Sequence, residues 1–309
     1  MIRSRPSSSR RAQLCQRLTP LHTALHQKLK TEAHVSGDAP TIPPNAFSGA
    51  GNWTREQLKL AFHFYCQTPF GKLDSRNRKV IELARLIGRT PGALAMKLVN
   101  FASLDPAIAA SGRAGLSNAS HLDRAVWDEF HADWEGLALE CAQLVHDLLR
   151  DHEPTDDAMD AVVEQAEQID YAGQTRTAMV QQRIKQQFFR RAVLSSYRGR
   201  CCMSGVSDPR LLIASHIVPW REDKAHRLNP SNGLCLSAIH DRAFDQRLIT
   251  LSDDLRVMLS KSLRTTENEY LKLTFQPLEG QRIQAAERFA ADHRLIARHR
   301  ELFLQEEDA

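Results

Sequence analysis

The sequence predicts a mainly helical α+β protein, and three observations carry that expectation. Capped runs of helical periodicity fill residues 53–175, one β-prone run closes at Val218-Pro219, and a short hairpin pattern follows over 248–259. With 309 residues, 42% of them hydrophobic and 25% charged, the chain can build two modest domains rather than one large core. Its plan is a disordered basic tail and linker over 1–52, a helical module over 53–130, an acidic helical connector over 131–175 and a C-terminal α+β domain over 176–309.

Each element has a local reason. The opening MIRSRPSSSRR is rich in Arg and Ser and free of acid, which reads as a basic tail rather than an organelle leader, and Pro40, Pro43 and Pro44 mark a linker. Thr54 is placed as an N-cap with Gln57 at the reciprocal position, and Leu58, Leu60, Ala61, Phe62, Phe64 and Tyr65 form a wide apolar face. Thr68-Pro69-Phe70-Gly71 ends that helix. A second, Val80 to Ile87, stops at Gly88, and Thr90-Pro91 opens a third. Helix, Gly-containing turn and capped helix make a helix-turn-helix-like three-helix module similar to small DNA-binding domains. On that reading Arg89, Lys97 and Asn100 form the polar edge that reads a DNA groove. Trp127 and Trp134 are expected to anchor helices.

The connector reads as long helices with Leu137, Leu139, Leu144, Val145, Leu148 and Leu149 on one side and a break near Glu153-Pro154. It joins the two ends of the protein or pairs with a second copy in a homodimer. A helix over Thr175 to Tyr197 turns Phe188, Phe189, Val193 and Leu194 inward, leaving Arg183, Lys185, Arg190 and Arg191 to approach phosphates. A hairpin around Asp253-Asp254 and a closing helix over Ala285 to Phe303 complete the chain.

Charge is segregated along the sequence. Residues 55–101 hold nine Lys or Arg against three acids, and residues 175–200 hold seven and no acid. Between them, residues 128–170 carry fourteen acids and one Arg. The basic blocks are candidate phosphate-contact surfaces, so DNA is the expected partner, and the acidic block is a solvated face able to shield them. No apolar run approaches the length of a membrane span, so no membrane is expected and we place the chain in the cytoplasm.

The stretch ASHIVPWREDKAHRLNPSNGLCLSAIHDRAFD, Ala214 to Asp245, holds the chemistry. His216 projects from the end of a strand, Asn232 sits in a turn-forming Asn-Pro-Ser-Asn-Gly, and His240 begins a short helix with Ser237 as its N-cap. Strand, loop, strand and helix then fold back so that His216 and His240 face one pocket. Phosphodiester cleavage needs a water deprotonated near neutral pH and a cation against the phosphate and the leaving 3′ oxygen. Histidine has the pKa for the first task, so His216 is the candidate base.

These residues, and the phrases SHIVPW, NPSNGL, HDRAFD and LITLS around them, resemble the HNH endonuclease superfamily and one restriction-type branch of it. The resemblance implies a ββα-metal core over the C-terminal domain. It assigns the general base to His216, the loop brace to Asn232 and metal binding to His240. Where many relatives have an Asp before the base, this chain has Ser215; Asp241 and Asp245, one helical turn apart, rank after His240 as metal ligands and Ser215 ranks last. One hard divalent cation, Mg²⁺ or Mn²⁺, suits such a site. Cys201 and Cys202 are adjacent and Cys235 stands alone, so no Cys-x-x-Cys pair is present and no structural zinc is expected. Arg191, Arg198 and Arg200 are the candidate phosphate clamps. The resulting function is a metal-dependent DNA endonuclease in restriction or defence. Its alternatives are a catalytically decayed DNA-binding regulator and a nuclease toxin or effector.

Overall fold

The computed structural model describes residues 51–112, 118–152 and 173–307. The expected basic tail up to residue 50 and the break near Glu153-Pro154 lie outside the described residues. Seven helices precede the first strand among the described residues: α1 Arg55–Gln67, α2 Arg78–Leu86, α3 Pro91–Ala102, α4 Pro106–Ala110, α5 His121–Ala132, α6 Trp134–His152 and α7 Gly173–Ser196. The C-terminal part adds β1 Leu212–His216, β2 Gly233–Ser237, α8 Ala238–Asp245, β3 Ile249–Leu251, β4 Val257–Leu259, α9 Lys261–Arg264, α10 Glu269–Phe275 and α11 His293–Glu307.

The helix starts follow the capping chemistry. Thr54 Oγ1 accepts from Gln57 N while Gln57 Oε1 accepts from Thr54 N, both at 3.2 Å, a complete capping box. Thr90 Oγ1 accepts from Ala93 N ahead of Pro91 at the first turn of α3. Gly88 takes φ +68°, the left-handed conformation that ends α2 and turns the chain toward α3. Around Phe62 of α1, the rings of Phe101, Trp127 and Phe130 lie 4.7–5.2 Å away and seal the helical core.

This core corrects the expected groove-reading edge. Arg89 is 5% exposed, donates to the Gly51 and Asn52 carbonyls and to Gln57 Oε1, and lies over the Trp53 ring. Lys97 Nζ bonds both oxygens of Asp123 at 2.8 and 2.9 Å, and Asn100 is buried. The capped helix was legible in the sequence, but the apolar face of α1 draws these three polar groups inward, leaving Gly92 and Met96 exposed on α3.

The two charge blocks meet in space. Arg55 and Lys59 of α1 pair with Glu129, Lys59 also pairs with Glu140, and Lys185 of α7 pairs with Glu135 of α6. Much of the basic character of α1 is thereby neutralised internally.

The hairpin of β1 and β2 is antiparallel, pairing His216 with Gly233 and Leu212 with Ser237. β3 and β4 form a second antiparallel pair, Ile249 with Leu259. The α7 helix lies between the halves: Phe188 meets His63 and Trp134, while its neighbour Phe189 stacks on His216. The described residues 51–152 and 173–307 belong to one compact unit with one continuous buried core. Arg288, fully buried, pins the join by donating to the Tyr65 carbonyl and, at 2.8 Å, to Ser195 Oγ. Residues 285–292, expected as the start of the closing helix, instead form an irregular strap. Gln284, Glu287 and Asp292 spend their amides on Cys202, Ser196 and Ser231 carbonyls, so helical bonding begins only at His293.

Gly233 is required by space rather than by backbone angle. A Cβ there would sit 2.3 Å from Val193 Cγ2 and 3.0 Å from Phe189 Cζ. Gly233→Ala is therefore expected to cost about 1–3 kcal/mol by overpacking, read as a lower midpoint in thermal or urea unfolding. An unchanged midpoint would refute the close approach of hairpin and helix.

Candidate active site

His216 ends β1 and is held on three sides. Its ring stacks on Phe189 at 3.9 Å and 6°, the Trp220 ring stands edge-on at 5.7 Å, and Nε2 lies 3.0 Å from the Arg227 carbonyl. A carbonyl only accepts, so Nε2 carries the proton and Nδ1 keeps a lone pair. Burial lowers the pKa of His216 from its ordinary 6.5, and the bond to Arg227 offsets part of that effect. The ring is thus neutral at physiological pH, with one basic nitrogen.

Asn232, 0% exposed, braces the loop that carries Arg227. Its Oδ1 accepts from Val218 N at 2.9 Å, and Nδ2 donates to the carbonyls of Val218 at 3.1 Å and His226 at 3.2 Å. Its own carbonyl accepts from Ile217 N. One side chain therefore fixes both ends of the loop that turns His216.

A cleft opens beside His216, lined also by Asp245, Arg247, Glu222, Arg298 and His299. Asp241 and Asp245 sit one turn apart on α8. Burial raises the Asp241 carboxyl, with Ser215 and Arg242 acting against it, and Asp245 is raised by burial and then by the Asp241 charge. The buried Ser215 hydroxyl approaches Asp241 without completing a full hydrogen bond. The partly buried Asp241 carboxylate, the exposed Asp245 carboxylate that its charge raises, and the unsatisfied Ser215 hydroxyl are hard oxygen donors of the kind that suits Mg²⁺ or Mn²⁺. Among the described residues, no three His, Cys, Asp or Glu side chains are gathered closely enough to hold an ion by themselves.

His240 departs from expectation, since it does not line the cleft with His216. Its ring is 3% exposed, with Nδ1 2.9 Å from Ser237 Oγ and 3.5 Å from Cys201 Sγ, and Phe275 packs edge-on. Ser237 stands at the N-cap of α8, but its hydroxyl meets this ring instead of a helix amide. Burial raises the Cys201 thiol, yet the His240 ring and the Ser204 contacts outweigh it and bring it down to about 6. The five described cysteines are unpaired and buried.

The other expected phosphate contacts divide. Arg190 is committed to the Leu212 and Pro209 carbonyls, which fasten β1 to α7, and Arg198 pairs with Glu287. Arg191 reaches Gln67 at 3.5 Å, while Arg183 and Arg200 are exposed. Phe189 was expected to face inward, but its stack on His216, the Arg227 carbonyl and the arginines of the cleft escaped the sequence reading. A backbone carbonyl leaves no residue-type signal, and the cleft wall supplied by α11 is distant along the chain.

Two outcomes follow from this geometry. Asn232→Asp keeps the acceptor and loses both donations, so it should lower turnover about 10- to 100-fold while leaving substrate binding within a few-fold, measured as kcat against KM. Turnover unchanged from the parent would remove Asn232 as the brace. The raised Asp241 and Asp245 carboxyls contribute stability at low pH that is lost as pH rises through their folded values. Asp245 is exposed and its charge is screened by water, so at about pH 7.5 metal-free Asp245→Asn should melt no lower than the parent and gain less from added Mn²⁺. A parent-like response to Mn²⁺ would exclude Asp245 as a ligand.

Comparison with known protein families gives a match over residues 201–252, to the family described as HNH endonuclease. No curated protein matches the chain. The matched segment contains β1, the Asn232 turn, β2, α8 and β3.

Proposed function

From an HNH endonuclease domain built around His216, we propose that the protein is a divalent-metal-dependent DNA endonuclease acting in restriction or defence. The observation that carries this reading is the single free nitrogen of His216, aimed by the Arg227 carbonyl and sharing a cleft with Asp245. His216 Nδ1 takes a proton from water as its oxygen bonds to phosphorus in line with the departing 3′ oxygen. The bond from phosphorus to that oxygen breaks, leaving a 5′ phosphate and, after protonation, a 3′ hydroxyl. The imidazolium that forms is steadied by its Nε2–H bond to the Arg227 carbonyl. Asp241 and Asp245 would hold the cation. When bound, that cation supplies charge neutralisation at the phosphate and the leaving oxygen. His240 acts here from behind, fixing the first turn of α8 on which both carboxylates stand.

A second reading, a DNA-binding protein that no longer cuts, draws on Ser215 and on the two-carboxylate site. Purified protein incubated with supercoiled plasmid, modified and unmodified, in Mg²⁺, Mn²⁺, Ni²⁺ or chelator separates the two. Metal-dependent nicking or linearisation supports the enzyme, and retention without cutting under every metal supports the alternative.

His216→Ala should abolish cleavage while leaving DNA retention largely intact. Because its pKa lies below 6.5, the parent rate should hold constant above about pH 7 and fall as pH drops through the lowered value. Equal loss of binding and cutting in the variant, or a rate still climbing steeply above about pH 8, would count against His216 as base.

A further inference from the structure

The helix α11 lies beyond the matched segment 201–252, yet it forms one wall of the cleft beside His216. It is docked there by His299, which stacks on Phe244 at 3.8 Å, accepts or donates at Thr250 Oγ1 over 2.8 Å and reaches the Phe244 carbonyl at 3.1 Å. Burial lowers the His299 pKa to about 4, so the ring is a neutral packing element. Its neighbour Arg298 faces the cleft, as does Arg247 at the end of α8.

The two arginines share a form of restraint. Arg298 Nη2 lies 3.1 Å from Glu222 Oε2, in the loop just after His216, and Arg247 pairs with Glu306 of α11. Arg298 and Glu222 are 44% and 43% exposed, and Arg247 and Glu306 are 36% and 49% exposed. Ion pairs this open to water contribute only about 0–1 kcal/mol, so an incoming anion can displace the carboxylates. Arg247 has φ +53°, at the position after a helix where glycine is cheapest. An arginine in place of the cheaper glycine sets a guanidinium at this edge of the cleft.

Charge balance in the cleft sharpens the argument. Asp245 and Glu222 would repel a phosphodiester, and His216 is neutral, so the positive groups lining the cleft are Arg247 and Arg298. Arg190 of α7 is committed to the Leu212 and Pro209 carbonyls and does not line the cleft.

We propose that Arg298 and Arg247 clamp the scissile phosphodiester from the α11 side of the cleft, with Glu222 and Glu306 holding their guanidinium groups until substrate takes them. The planar guanidinium can bond two phosphate oxygens at once, and its charge counters what grows on them as phosphorus becomes five-coordinate. This clamp rests on the nuclease reading, and DNA as the substrate class comes from it.

The test breaks one ion pair from both ends. Arg298→Ala, Arg298→Lys, Glu222→Gln and Arg247→Ala are assayed for plasmid cleavage in Mn²⁺. The same changes are placed on His216→Ala, and binding of a fluorescent duplex is followed across salt concentrations. Arg298→Ala and Arg247→Ala should each lower kcat/KM on the order of 10²-fold, and Arg298→Lys should recover part of the loss. On the His216→Ala background, Arg298→Ala should reduce the salt slope of binding by about one. Glu222→Gln, which frees Arg298, should tighten binding about two- to tenfold. Equal losses from Arg298→Ala and Glu222→Gln would mean the pair is only structural and would overturn the clamp, as would an unchanged salt slope. If the parent cuts under no metal, the nuclease reading fails, while the binding series still decides whether Arg298 grips phosphate.

Discussion

The stack of Phe189 on His216 is the contact on which the candidate site depends. Phe188 and Phe189 are consecutive on α7 and so diverge by roughly 100° around the helix, which lets one ring enter the helical half and the other support the strand that carries His216. An aromatic pair of this kind contributes about 0.5–1.5 kcal/mol beyond its buried area, a small energy with a large geometric effect. It removes rotational freedom from the imidazole before any substrate arrives. Gly233 makes the contact reachable, since any larger residue opposite His216 would push the hairpin off α7.

That arrangement changes the meaning of the N-terminal helices. They do not stand apart as a separate reader. Tyr65 and Cys66 at the end of α1 meet Ser195 of α7 and Arg288 of the strap in one buried polar network, with Asp105 receiving the Phe289 amide. Breaking such a network at one member leaves the others unsatisfied in the interior, so the halves are coupled more tightly than surface contacts would achieve. The pairing of Lys185 on α7 with Glu135 on α6 acts in the same direction, and Arg55 and Lys59 tie α1 to α5 and α6 within the helical half. At Lys59 and Lys185, charge that looks like a nucleic-acid surface along the sequence is spent on contacts between helices, while Lys72, Arg76, Arg78, Lys79 and Arg85 stay exposed.

What was legible in the sequence follows a physical boundary. Caps such as Thr54 and Thr90 act over three residues, so they can be read from the residues alone, and both are present. The strand ending in His216, the Asn232 turn and the hairpin at 249–259 are equally local. Direction of a side chain around a helix is not local. His240 and Asp241 are neighbours on α8, and tertiary packing, with Cys201 and Phe275 on one side and Ser215 on the other, determines which of them turns toward the first strand. Arg89, Lys97 and Asn100 illustrate the same limit, because a polar residue on a helix reads as exposed until its buried partner is known. The strap at 285–292 has helix-compatible composition but spends its amides elsewhere.

The two kinds of titratable group at the site are displaced in complementary directions by one cause. Burial favours neutral forms, so it makes His216 a ready proton acceptor and makes Asp241 and Asp245 reluctant anions. For the imidazole this is already the working state. For the carboxylates, with the Asp241 charge bearing on Asp245, it is a state that a bound divalent cation would relieve. A divalent cation held by this pair would take charge from it, with its remaining positions open to water and phosphate oxygens. Ser215, where an acid would add a further negative charge against Asp241, instead sets a hydroxyl there whose contact lowers the Asp241 carboxyl against its burial.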